Sequence, residues 1–232
     1  MKSKRQRHYN KAINKKEKGK VWQSIKLGLV LLAALFVILG SIKIIRPSLL
    51  ERGYFEMEGE EIDAKKPELD VELLTVNPYS RPGTQTDKIR GIVVHYTANP
   101  GATAMENRNY FEGLKDTHST KASSNFVVGL EGEIVQCVPT WEVAYASNNR
   151  NTDTVSIECC HPDKSGEFTD KTYRSVVNLC AWLCLKFDLD EKDVIRHYDV
   201  TGKNCPKYFV EDEEAWKTFR EDVKNALENA DD

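Results

Sequence analysis

The chain carries almost no net charge. In 232 residues, 33 Lys and Arg stand against 36 Asp and Glu, a formal charge of -3. No strongly basic stretch falls in the part that reads as folded, which argues against nucleic acid as a partner. Internal repeats and low-complexity tracts are absent too, so a solenoid or a biased tract does not describe it. The six cysteines (Cys137, Cys159, Cys160, Cys180, Cys184 and Cys205) lack the spacing of a small disulfide-stapled domain. Cys159 and Cys160 are neighbours and would face opposite sides of a strand. Cys180 and Cys184 are four apart and share one helix face, where packing is the expected role and a disulfide or metal pair the alternative.

What charge there is lies unevenly. The first 26 residues are rich in Lys and Arg and hold one acid, Glu17, whereas the last 22 run acidic from Glu211 to Asp232. Between the basic end and the rest lies Leu27 to Ile45, LGLVLLAALFVILGSIKII, whose single charge is Lys43. At helical rise this stretch spans about 28 Å, one hydrocarbon core. Lys43 can snorkel toward the headgroups. A buried helix of a soluble domain is disfavoured too, because no face of the run is polar. A cleaved signal peptide is the alternative, but the run is long for one and no A-x-A site follows. The positive-inside rule then keeps residues 1–26 in the cytoplasm as a basic tail. It places everything after the transmembrane helix 27–45 outside a cell membrane crossed once.

Residues 46–86 read as a linker or N-terminal arm, with Pro47, Pro67, Pro78, Pro82 and many charges. The stretch around Val71 to Val76 is the part expected to pack on the domain. Residues 87–228 form the compact domain, and 229–232 an acidic tail. The patterns predict strands over 89–96, 125–130, 133–138, 154–159 and 193–196, with a hairpin signal at Glu131-Gly132. They predict helices over 102–114, 170–187 and 213–227, the second capped by Asp170. The fold class expected is α/β (α+β), a mixed central sheet flanked by helices.

Of five histidines, His8 belongs to the basic tail and His118 to a loop. His95 and His197 each stand at a predicted strand end, and Cys205 follows in HYDVTGKNCPKYF, with Pro206 next to it. Two imidazoles and a thiolate suit a catalytic zinc that keeps its fourth position for water. Spacing alone leaves open that His95 is a satisfied strand histidine and Cys205 a packing residue.

The pieces GIVVHYTAN, SSNFVVGLEGEIVQ, NTDTVSIECCHPD and IRHYDVTGKNCP resemble the type 2 N-acetylmuramoyl-L-alanine amidases. That family is similar to the peptidoglycan recognition proteins and the phage lysozyme-type amidases. The resemblance covers about residues 89–209 in order. It implies a zinc-dependent hydrolase that cuts the amide between N-acetylmuramic acid and L-alanine in peptidoglycan. It implies zinc ligands at His95, His197 and Cys205, and catalytic roles for Glu158 as general base and Lys203 at the oxyanion. Asn125 and His161 are the expected substrate contacts. Many relatives carry a tyrosine where this chain has Ser124, which moves the catalytic burden to Glu158 and Lys203. Three rivals stand beside this reading: a non-catalytic peptidoglycan-binding receptor, a closed structural zinc site completed by His161 or Cys159, and a cysteine peptidase built on Cys205. Oligomeric state is not readable from the sequence.

Overall fold

A computed structural model describes residues 62–229. The expected cytoplasmic tail, the transmembrane helix 27–45, the first part of the linker and the last three residues lie outside the described residues. Among the described residues no helix is long and apolar enough to cross a membrane.

Six strands form one sheet: β1 (Asp70–Val71), β2 (Ile92–Tyr96), β3 (Phe126–Val128), β4 (Ile134–Gln136), β5 (Val155–Cys159) and β6 (Val194–Arg196). Their spatial order is β1-β4-β3-β5-β2-β6. Every neighbouring pair is parallel except β3 and β4. That pair is the hairpin expected at Glu131-Gly132, and Gly132 turns it with a φ of 88° that other residues rarely adopt. The helices are α1 (Ala104–Thr117), α2 (Asp170–Phe187), two short ones, α3 (His197–Thr201) and α4 (Lys207–Glu211), and α5 (Glu213–Glu228). The mixed sheet flanked by helices agrees with the fold class read from the sequence.

Strand alternation splits the core in two. Ile92, Val94, Phe126, Val128, Ile134, Val155, Ile157 and Cys159 pack with the apolar stripes of α2 and α5. On the other side Val127, Val135, Cys137 and Cys160 pack with α1 residues Ala104 and Phe111 and with Leu74. Cys159 and Cys160 thus enter opposite layers, as their adjacency predicts. Cys180 and Cys184 are buried packing residues of α2, and all six thiols are free.

The N-terminal stretch is tied down where the description begins. Asn178 Nδ2 donates to Asp63 O at 2.6 Å, and the Leu74 amide donates to Cys137 O at 2.9 Å. Arg108 of α1 donates to the carbonyls of Glu72 and Leu73 at 2.9 and 3.0 Å. The helix cap needs one correction. Thr169, not Asp170, caps α2: its hydroxyl accepts from the Thr172 amide at 3.0 Å, and Asp170 is the first helical residue.

Candidate active site

The sheet itself assembles most of the site. His95 and Glu158 are register partners on the adjacent parallel strands β2 and β5. Parallel neighbours run about 4.8 Å apart, and partners point to the same face. One strand over, Val94 pairs with Arg196, so His197 follows at the level of His95. The two imidazoles lie with ring centroids 4.6 Å apart. Arg196 pins this end of β6. Its guanidinium donates to Asp199, to Phe209 O at 2.9 Å and to Glu213 at 2.7 Å. The clamp sets the angle at which α3 leaves the strand, and so the position of His197.

Cys205 comes in from the far side of α3. The Cys205 carbonyl accepts from the Tyr198 amide at 2.8 Å, which folds the loop back over the strand ends. Cys205 Sγ lies 3.9 Å from His95 Nδ1. His95, His197 and Cys205 each offer one ligand atom, and these atoms lie within 4.8 Å of one another. Zinc bonds to imidazole and thiolate place tetrahedral ligand atoms roughly 3.3–3.6 Å apart, so the three need only tighten. No other group of three or more His, Cys, Asp or Glu residues suited to a metal occurs among the described residues.

A second observation marks the same spot. Four buried side-chain polar atoms of the described residues have no hydrogen-bond partner: Thr97 Oγ1, Glu158 Oε2, His161 Nε2 and His197 Nδ1. Every one belongs to a residue at or just past the C-terminal end of β2, β5 or β6. Buried polar groups are satisfied as a rule, so such a gathering is a place shaped for a ligand.

Electrostatics set the protonation states. Burial, then the neighbouring His197 and Lys203, hold His95 well below the usual imidazole range. Burial and Lys203 lower His197 as well. Both rings are therefore neutral and ready to ligate without losing a proton. Burial raises the Glu158 carboxyl from 4.5 to about 8, with Lys203 opposing. Glu158 keeps a narrow opening to solvent although Oε2 itself is enclosed. Burial and Glu158 push the Cys205 thiol up to about 12, against the pull of the Tyr96 amide and Lys203. Lys203 is solvent-exposed, and its positive charge disfavours protonation of His95 and His197 and favours the ionised forms of Glu158 and Cys205.

A profile of the family described as N-acetylmuramoyl-L-alanine amidase (Amidase_2) matches residues 85–208. The chain belongs to this family. The N-acetylmuramoyl-L-alanine amidase CwlL of Bacillus licheniformis is 37% identical over 169 residues, 68% of this chain and 47% of CwlL. The N-acetylmuramoyl-L-alanine amidase BlyA of Bacillus subtilis (strain 168) is 33% identical over 172 residues, 65% of this chain and 45% of BlyA. The chain spans about half the length of these curated relatives. Among solved structures, the catalytic domain of XlyA superposes with a TM-score of 0.58 at 25% identity, covering 68% of this chain and 99% of that one. PlyL superposes with a TM-score of 0.59 at 24% identity, over 69% of this chain and 99% of its own, a likeness of fold.

In this Amidase_2 chain the fold gathers His95, His197, Cys205, Glu158 and Lys203. Asn125 stands apart and needs correction. Its amide nitrogen faces the carbonyls of Val138, Pro139 and Glu142, and its oxygen accepts from the Ser156 amide and hydroxyl. It brackets strand ends inside the core and has no donor or acceptor left for a cleft. Ser124 is spent in the same way, donating to Ser156 O at 3.0 Å.

His161 sits just past β5 with Nδ1 against Asp163 O at 2.6 Å and its ring against Tyr96, which leaves Nε2 unused. Neither His161 nor Cys159 joins the three ligands, and Cys159 packs in the α2 layer, away from the face that carries His95. The site also speaks against the peptidase rival: burial raises the Cys205 thiol and lowers both imidazoles, the opposite of the shifts a thiolate–imidazolium pair requires.

Sequence reasoning passed over Ser147 and Asn148. Ser147 Oγ lies 3.2 Å from His95 Nε2, and Asn148 Oδ1 lies 3.0 Å from His197 Nε2. The run Ser147-Asn148-Asn149 is a turn signal, and nothing in its spacing links it to either histidine.

Proposed function

We propose that this chain is a zinc-dependent N-acetylmuramoyl-L-alanine amidase. It hydrolyses the amide between N-acetylmuramic acid and the first L-alanine of the peptidoglycan stem. It acts from a domain held outside the cell membrane by a single span at residues 27–45, with the N-terminus in the cytoplasm. The observation that carries the reading is the set of unpartnered buried atoms beside Cys205 at the ends of β2, β5 and β6. Family membership supplies the reaction class, and the apolar run with its basic flank supports the tether.

His95 Nδ1, His197 Nδ1 and Cys205 Sγ would hold the metal. A zinc ion there supplies Lewis acidity, acidifying a water and polarising a carbonyl on its open side. Glu158 Oε2 takes a proton from the attacking water while the water oxygen bonds to the lactyl carbonyl carbon. A carboxyl whose proton affinity lies near working pH suits both halves of that exchange. The Lys203 ammonium faces the charge that develops on the carbonyl oxygen. As the C–N bond breaks, Glu158 passes its proton to the departing alanine nitrogen. The products are the muramic acid carboxylate and a free stem-peptide amine. His161 Nε2 and Thr97 Oγ1 remain free to hydrogen-bond the substrate.

The test is release of free stem peptide from purified muropeptides by the full chain in detergent micelles. Release that a chelator abolishes and added zinc restores is the expected result. Binding of muropeptide by the zinc-loaded chain with no cleavage would overturn the amidase reading in favour of a receptor of the same fold.

A further inference from the structure

The two histidines of the proposed metal site present the same ring atom, and one loop accounts for it. His95 uses Nε2 toward Ser147 Oγ and turns Nδ1 toward Cys205 Sγ. His197 uses Nε2 toward Asn148 Oδ1, leaving Nδ1 buried and without a partner. An amide oxygen only accepts, so His197 Nε2 must carry the proton and Nδ1 the lone pair. The Ser147 hydroxyl at His95 Nε2 can accept in the same manner. Neither contact is incidental to another job, since each is the one side-chain hydrogen bond these two residues make among the described residues.

The loop that delivers them is itself braced. Asn148 to Arg150 form a single 3-10 turn, and Asn148 takes a left-handed φ of 54°. That region is unfavourable for most side chains and tolerated by asparagine. Asn151 Oδ1 accepts from the amides of both Ala146 and Ser147, holding the turn in register with the strand ends. The bracing therefore runs from Asn151 through the backbone to Ser147 and Asn148, and from them to both rings. It reaches the site from the loop between β4 and β5, independently of the β2, β6 and Cys205 segments that carry the ligands.

We propose that Ser147 and Asn148 are positioning residues that fix both imidazoles as Nε2–H tautomers and so aim two Nδ1 lone pairs at one point. This rests on the metal-binding reading of His95, His197 and Cys205. Groups that hold a ligating histidine by its other nitrogen typically contribute ten- to hundredfold in metal affinity. A metal ligand with the wrong tautomer must first move its proton or turn its ring, which is the loss expected here.

The test uses the full chain in micelles with 15N-labelled histidine, first metal-free and then titrated with zinc against a chromophoric chelator. Ring signals are assigned by their loss in His95→Gln and His197→Gln. Wild type should show Nε2–H for both rings. Ser147→Ala should shift His95, and Asn148→Gly should shift His197, toward mixed tautomers, each with zinc binding weaker by about tenfold. Glycine keeps the left-handed backbone accessible, so Asn148→Gly removes the acceptor without strain. Asn148→Asp, which retains an acceptor oxygen, should keep the His197 tautomer. Unchanged tautomers in Ser147→Ala and Asn148→Gly would overturn the proposal, whether or not affinity falls. Failure of the wild type to bind zinc would instead overturn the metal-site reading, while the metal-free spectra still decide the tautomers.

Discussion

Glu158 and His95 stand directly across from one another on parallel strands, on the sheet face away from α2 and α5. A carboxylate and an imidazole at one level of the sheet put a proton acceptor beside the proposed ligand. Glu158→Gln is isosteric and removes only the basic oxygen. It should retain zinc and lose amide cleavage by about 10²–10⁴-fold, the usual contribution of a positioned general base. Zinc content and stem-peptide release on the same sample check this. Near-normal turnover would remove Glu158 from the mechanism.

The same carboxyl makes the metal-free protein pH-sensitive. Its folded-state value is raised from 4.5 to about 8 by burial. The folded chain therefore holds a proton that the unfolded chain releases across that window. Stability linked to protonated Glu158 is full below 4.5 and is lost as pH rises through about 8. Unfolding free energies from urea titrations of metal-free wild type should fall relative to Glu158→Gln across this range, by about a few kcal/mol in all, and then level off. Parallel curves for the two proteins would mean that the carboxyl is not buried as described.

Zinc binding should release about one proton, because the Cys205 thiol sits near 12 and must ligate as thiolate, whereas both histidines are already neutral. Calorimetric titration in buffers of different ionisation enthalpy reads this number directly. Affinity should climb about tenfold per pH unit through neutral pH. Cys205→Ser should abolish the proton release and weaken binding.

The Lys203 side chain is exposed and makes no hydrogen bond or ion pair among the described residues, so Lys203→Ala should leave thermal stability unchanged. Turnover should fall by roughly 10- to 100-fold with little change in KM, since the ammonium meets charge that exists only in the transition state. A change in KM alone would make it a substrate-binding lysine.

Arg196 holds the end of β6 with a side chain 8% exposed, and its partner carboxylates on Asp199 and Glu213 retain 30% and 57%. Arg196→Leu would take the guanidinium donors from both acids and from the Phe209 carbonyl, leaving Asp199 only the amide of residue 196. A loss on the order of 2 kcal/mol is expected, below the full value of a buried pair because the acids can reach water. Urea unfolding with an unchanged slope measures it. Zinc affinity should fall in parallel because His197 follows Arg196 directly.

Much of this molecule is determined locally. The continuous apolar run in GIVVHY and the alternation in VSIEC specify two buried strands, and the 3.6-residue stripes of α2 and α5 specify their inward faces. Those patterns act over a few residues, so the sequence alone carries them. It also carries the donor types: His95, His197 and Cys205 stand out by chemistry, and Glu158 and Lys203 through the family resemblance. What the tertiary structure decided is where each of these points. Cys205 meets His95 across 110 positions of sequence only because α3 folds the loop back over the strand ends. Asn125 looked like a cleft residue, but the packing of β3 against β5 turned it inward, where every polar atom of its amide found a partner. Ser147 and Asn148 read as an ordinary turn until that turn closed over the two rings. Strand register and loop placement are settled by long-range packing, and no local period in the chain encodes them.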